Sequence, residues 1–162
     1  MRIAICPGSY DPVTVGHVDI IRRAAALFDR VIVLVSPNSA KHTFFSCEDR
    51  TAMLEAATAD IPGVEVQCSN ELLAAFAQRV GACALVKGVR NTQDLEYEQQ
   101  LAQVNGHLLP GLETVFLPAD PTIGWLSSTI VREMIRYHQD ITKMVPAGAL
   151  AILSERLEEA TR

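Results

Sequence analysis

Five short apolar runs alternate with helical patterns along this chain, and that alternation leaves few folds open. Ile3–Cys6, Val31–Val35, Val64–Gln67, Ala82–Val86 and Thr114–Leu117 read as buried strands. Between them, apolar residues recur at spacings of three and four. A helix over about 17–28 buries Val18, Ile21, Ala24, Ala25 and Phe28. A second, over 47–59, opens with Ser46-Cys47-Glu48-Asp49, which resembles a capping box. A third, over 71–80, carries Leu72, Leu73, Phe76 and Val80, and a fourth, over 93–108, carries Tyr97, Leu101, Val104 and Leu108. Two more helices follow, near 128–137 and 147–159. Pro62-Gly63 and Pro110-Gly111 punctuate the connections.

Strands separated by helices demand parallel pairing with right-handed crossovers, hence an α/β fold. The expected architecture is a doubly wound, five-stranded parallel sheet with helices on both faces and a C-terminal helical extension. At 162 residues the chain is expected to form a single domain, 1–162. No repeat or linker divides it. In such sheets ligands bind beyond the carboxyl ends of the strands, where strand order reverses. The loops after the strands therefore carry the functional information.

The loop after the first run reads Pro7-Gly8-Ser9-Tyr10-Asp11-Pro12-Val13-Thr14-Val15-Gly16-His17. Gly8 and Gly16 permit close backbone approach to a ligand. A helix start attracts anions and disfavours a protonated imidazole, so a neutral His17 could donate to a phosphoryl oxygen. The plain alternative is a surface histidine capping a turn. Lys41 follows the second strand and, alone, reads first as a solvated surface charge. Lys87-Gly88-Val89-Arg90 follows the fourth, with two cations flanking a glycine. They suit a polyanion, or else ion pairs to Asp94 or Glu98. The last loop ends in Ser127-Ser128-Thr129 at a helix start, either a phosphate cradle or an N-cap with spare hydroxyls.

Taken together these loops supply a histidine, three cations and a hydroxyl cluster on one sheet edge. They supply no evident nucleophile–base pair. That inventory suits phosphoryl or nucleotidyl transfer by positioning and charge neutralisation. Neither G-x-x-x-x-G-K-[ST] nor G-x-G-x-x-G after the first strand occurs. A net charge of −5 argues against general nucleic-acid binding. No run approaches the roughly 18 apolar residues of a membrane span, and the N-terminus lacks a signal-peptide core, so a cytoplasmic protein is expected. Cys6, Cys47, Cys68 and Cys83 form no C-x-x-C pair and are expected to be reduced, buried thiols. His17, His42, His107 and His138 show no metal-ligand spacing, so no metal held by protein side chains is expected.

Thr14-Val15-Gly16-His17 resembles the T/H-x-G-H signature of the nucleotidylyltransferase superfamily, a Rossmann-like fold. With Lys87-Gly88-Val89-Arg90, Asp94-Leu95-Glu96-Tyr97-Glu98, Gln103-Val104-Asn105 and Leu126-Ser127-Ser128-Thr129, the chain is similar along nearly its whole length to the bacterial phosphopantetheine adenylyltransferases. The resemblance implies that ATP and 4′-phosphopantetheine react, with Mg²⁺ as cofactor on the ATP phosphates, to dephospho-coenzyme A and pyrophosphate. It implies catalytic roles for His17 (stabilising the transition state), Lys41 and Arg90. It assigns ATP contacts to Ser9, Tyr10, His17, Gly88, Val89, Arg90, Glu98, Ile123, Gly124, Trp125, Leu126, Ser127, Ser128 and Thr129. It assigns acceptor contacts to Ser9, Lys41, Leu73 and Lys87. It further implies a homo-oligomer, a hexamer in bacterial members, with coenzyme A as a feedback ligand and neither nucleic acid nor membrane as partner.

Three positions depart from the family pattern. Thr129 stands where a third serine is common, Lys87 where arginine is common, and Ile123-Gly124-Trp125 lacks a serine common before the aromatic residue. Two rival readings follow from the same residues. One is a nucleotidylyltransferase with another acceptor, such as nicotinamide mononucleotide, since Leu126-Ser127-Ser128-Thr129-Ile130-Val131-Arg132 also resembles an I-S-S-T-x-x-R motif. The other is a non-catalytic nucleotide binder, which would have no need of His17.

Overall fold

All five predicted strands and all six predicted helices form. In the computed structural model, which describes residues 1–36 and 43–160, the elements run β1 (Ile3–Gly8), α1 (Val15–Leu27), β2 (Arg30–Val35), α2 (Cys47–Thr58), β3 (Val64–Cys68), α3 (Leu73–Val80), β4 (Ala84–Val89), α4 (Thr92–Leu108), β5 (Glu113–Pro118), α5 (Ser128–Arg136) and α6 (Ala147–Ala160). The sheet is parallel, in the order β3-β2-β1-β4-β5. Strand order therefore reverses between β1 and β4, and a crevice opens beyond their carboxyl ends.

The period-two alternation of the strands sorts the core into two layers. Ala4 and Cys6, Val31, Val33 and Val35, and Ala84 and Val86 share one apolar cluster with α1, α2 and α6, through Ile21, Ala24, Met53, Leu54, Ala149 and Leu153. Ile3, Ile5, Ile32, Leu34 and Leu85 face the other way, onto Phe76 and Ala77 of α3 and onto Leu112. Short polar side chains start the helices at the carboxyl edge. Thr14, Ser46, Asn91 and Ser127 are the N-caps of α1, α2, α4 and α5, each accepting a backbone N–H one turn on.

Three expectations change. First, α1 begins at Val15, so His17 is the third residue of the helix rather than its start. Second, Lys87, Gly88 and Val89 are not loop. Pairing continues to Val89↔Pro118, because β5 runs alongside to its own end. Third, the cysteines are not four buried thiols. Cys47 and Cys68 form a disulfide, Cys83 is exposed, and Cys6 alone of the four is a buried free thiol. The first turn of α2 lies beside the carboxyl end of β3, a proximity that a separation of 21 residues does not announce. On α4, Tyr97, Leu101, Val104 and Leu108 remain exposed, so this apolar stripe does not enter the core.

Candidate active site

A cleft of about 430 Å³ lies at the switch point between β1 and β4. The β1–α1 loop forms one wall with Ser9, Tyr10, Thr14 and His17. The end of β4 and the start of α4 form the second with Lys87, Gly88, Arg90, Asp94 and Glu98. The segment leading into α5 forms the third with Ile123, Leu126, Ser127 and Ser128. Predicted residues as far apart in sequence as Ser9 and Ser128 are thus brought around one space, and sheet topology does it. Leu73 lies outside the main cleft, in a small adjoining recess that it shares with Lys87 and Glu98. Val89, Gly124, Trp125 and Thr129 do not line the cleft. Lys41 lies outside the described residues.

Backbone packing sets the first wall. A Cβ on Gly8 would stand 2.9 Å from the Tyr10 ring, so the ring folds over this position only because glycine occupies it. Tyr10 holds a left-handed backbone, φ 49°, and its hydroxyl donates to the Cys6 carbonyl at 2.8 Å. The ring meets His17 edge-on at 5.0 Å between centroids. On the opposite wall, a Cβ on Gly88 would come within 2.8 Å of Ile20 on α1. Glycine there lets β4 and α1 close on each other beneath the cleft.

His17 belongs to a reciprocal cap. Thr14 Oγ1 accepts the His17 backbone N–H at 3.3 Å, and His17 Nδ1 accepts the Thr14 backbone N–H at 3.0 Å. An Nδ1 that accepts carries no proton, so the neutral ring holds its proton on Nε2. Burial, followed by the charges of Arg90 and Lys87, lowers the His17 pKa from 6.5 to about 4. The ring is therefore a neutral donor at neutral pH, the state anticipated for it. Burial pushes the Cys6 thiol up to about 12, against the opposing charge of Lys87, so this cleft-lining sulfur is no nucleophile.

The cations of the second wall are paired as the ion-pair alternative anticipated. Lys87 Nζ lies 3.0 Å from Glu98 Oε1, both largely shielded from solvent. Arg90 donates from Nε to Asp94 Oδ2 at 2.8 Å and from Nη2 to Oδ1 at 3.2 Å. The Arg90 side-chain hydrogen bond holds the Asp94 carboxyl below its usual range. Both pairs stand on the cleft wall, so ion pairing and service to a polyanion are not exclusive. The pairs splay the two cations along α4 and leave guanidinium N–H groups for further acceptors.

The hydroxyl cluster is similarly engaged. Ser127 Oγ caps α5 through Ile130 N–H at 3.2 Å, and Ser128 Oγ donates to the Pro12 carbonyl at 2.7 Å. Thr129 Oγ1 accepts from Arg132 Nη2 at 3.1 Å. Arg132 Nη1 also donates to the Asp11 carbonyl, binding α5 to the first wall. Trp125 is exposed, its indole N–H on the Thr122 carbonyl at 3.1 Å.

Sequence reasoning missed the supports behind the first wall. The buried Asp11 carboxylate accepts the Phe44 and Phe45 backbone N–H groups at 2.7 and 2.9 Å. Arg50, on α2, donates to the Ser9 carbonyl at 2.7 Å. No local spacing signals either contact, since each joins segments more than thirty residues apart.

Comparison with known proteins agrees with this geometry. Residues 5–134 match the family model described as cytidylyltransferase-like. The chain is 47% identical over 159 residues to a phosphopantetheine adenylyltransferase of Caldanaerobacter subterraneus subsp. tengcongensis, covering 98% of this chain and 97% of that one. It is 46% identical to the phosphopantetheine adenylyltransferase of Chloroflexus aggregans, covering 98% and 99%, and 43% identical to that of Levilactobacillus brevis, covering 98% of each. With the fold, the edge carrying the cleft and the full-length identities in agreement, the chain belongs to the phosphopantetheine adenylyltransferase family.

Proposed function

We propose that this cleft performs adenylyl transfer by direct in-line attack. As a member of its family, the chain transfers the adenylyl group of ATP to 4′-phosphopantetheine, giving dephospho-coenzyme A and pyrophosphate in coenzyme A biosynthesis. In the proposed step an oxygen of the acceptor phosphate forms a bond to Pα. The bond from Pα to the bridging oxygen breaks, and its electron pair leaves with pyrophosphate. The attacking oxygen is already anionic, so no general base is required.

The observation that carries this reading is the state of His17. Its Nδ1 is occupied by Thr14, its pKa is about 4, and it lines the cleft as a neutral Nε2–H donor. We assign that donor to the α-phosphoryl oxygens, where charge grows in the transition state. Arg90 and Lys41 neutralise the reacting phosphates, and Ser127 and Ser128 receive the β- and γ-phosphates. Gly88, Glu98, Tyr10, Ile123 and Leu126 enclose the nucleotide. Ser9, Lys87 and the backbone at Leu73 hold the acceptor beside it. Mg²⁺ supplies charge neutralisation when it enters with ATP. Among the described residues no three His, Cys, Asp or Glu side chains converge, and we assign the ion to the nucleotide phosphates rather than to a protein cage.

We also propose a homohexamer that uses the exposed α4 stripe, and coenzyme A as a competing ligand because it shares the acceptor's pantetheine arm. Among the described residues no helix is long and apolar enough to cross a membrane. A cytoplasmic location, proposed from the reaction, would expose the Cys47–Cys68 bond to a reducing medium.

Pyrophosphate release from ATP tests the reading, with 4′-phosphopantetheine and nicotinamide mononucleotide offered separately. Turnover is expected with the first alone. His17→Ala is expected to lower kcat by ~10² or more with little change in ATP binding. Turnover with nicotinamide mononucleotide would favour the rival acceptor, and unchanged kcat in the variant would remove His17 from the chemistry.

A further inference from the structure

We propose that Arg50 is a positioning residue for adenylyl transfer, acting from behind the cleft through the Ser9–Tyr10 peptide; the inference rests on the reading above. Arg50 is only 2% exposed and is among the largest fully buried side chains. Burying a guanidinium is costly unless its charge and donors are met. Among the described residues no carboxylate forms an ion pair with it. Its partners are two carbonyls: Nε donates to Ser46 at 3.2 Å and Nη1 to Ser9 at 2.7 Å. These two hydrogen bonds engage two of its five N–H donors and leave the charge without a counter-charge.

The second carbonyl explains why such a residue stands there. Ser9 and Tyr10 line the cleft and Arg50 does not. In a trans peptide the C=O and the following N–H point in opposite directions. The Ser9–Tyr10 bond is trans, so drawing the Ser9 carbonyl back toward α2 turns the Tyr10 N–H toward the cleft. Among the described residues nothing accepts that N–H. A backbone donor facing the phosphates, with an uncompensated cation directly behind it, is a preorganised anion site. The counter-charge that Arg50 lacks arrives with the substrate.

The mount is stiff. The residues just before α2 hold the next position of the same loop, through Phe44 and Phe45 N–H on Asp11. The Cys47–Cys68 bond ties the first turn of α2 to the end of β3.

Arg50→Met keeps the length and apolar bulk of the side chain and removes charge and donors. The folded variant is expected to lose about 10-fold or more in kcat, with a much smaller change in the KM of ATP, because the oriented donor acts on transition-state charge. Arg50→Lys, which keeps the charge, is expected to recover part of the loss. Added methylguanidinium is expected to restore kcat to Arg50→Ala in a saturable manner, which also serves if Arg50→Met does not fold. A merely structural arginine would lower the Tm of these variants and leave kcat and KM of the folded protein at wild-type values. That result, or rescue of Tm without kcat, overturns the proposal. Wild-type turnover in the same assay separates the two claims: without it the transfer reading itself falls.

Discussion

At His17 the helix cap and the proposed phosphoryl donor share one ring. Thr14 N–H occupies Nδ1, and burial with two neighbouring cations keeps the proton off. A ring held this way needs no reorganisation when charge develops opposite Nε2. Side-chain NMR of the ring nitrogens is expected to report the Nε2–H tautomer and a titration near pH 4. A ring titrating near 6.5 would contradict the cap geometry. The same shift has a stability consequence. Between about pH 6.5 and pH 4 the unfolded chain binds the proton and the folded chain does not, so His17 makes stability fall as pH drops through that window. His17 was legible because a glycine-histidine pair follows a strand. Arg50 was not, since one arginine in a charged helix turn looks solvated until the fold carries it to Ser9.

The elements around the cleft are helix starts whose caps sit on the carboxyl edge of the sheet. Ser46 and Asn91 illustrate how far one dimension reaches: each is an N-cap followed three residues later by an aspartate whose N–H it accepts. Pairing across elements is a different matter. Nothing in the spacing of Cys47 and Cys68 distinguishes them from Cys6 and Cys83, and only the placement of α2 against β3 joins them. Closing a loop with a separation of 21 residues is expected to stabilise the fold by roughly 3 kcal/mol in the chain-entropy account. Denaturant unfolding of the oxidised protein and of Cys68→Ser measures this. A lower midpoint in the variant is expected, and coincident curves would show that the bond contributes nothing.

Across the whole molecule, the βα alternation made the sheet readable, and the reversal of strand order between β1 and β4 sets the place of the cleft. The same periodicity misleads at α4. Tyr97, Leu101, Val104 and Leu108 repeat as a core face would, yet stay exposed. Periodicity reports that a face is apolar, not what covers it. If the stripe is the proposed interface between copies, Val104→Glu is expected to lower the oligomeric mass in light scattering while the secondary structure is retained. An unchanged mass would place the interface elsewhere.

On the proposed mechanism a neutral histidine and the surrounding cations suffice for transfer to 4′-phosphopantetheine without a base or covalent nucleophile. The most direct test is initial-rate pyrophosphate release by the purified chain and by His17→Ala, with ATP, Mg²⁺ and either acceptor. Turnover is expected with 4′-phosphopantetheine alone, with a loss of ~10² or more in kcat for the variant. Equal kcat in both proteins, or turnover with nicotinamide mononucleotide, would contradict it.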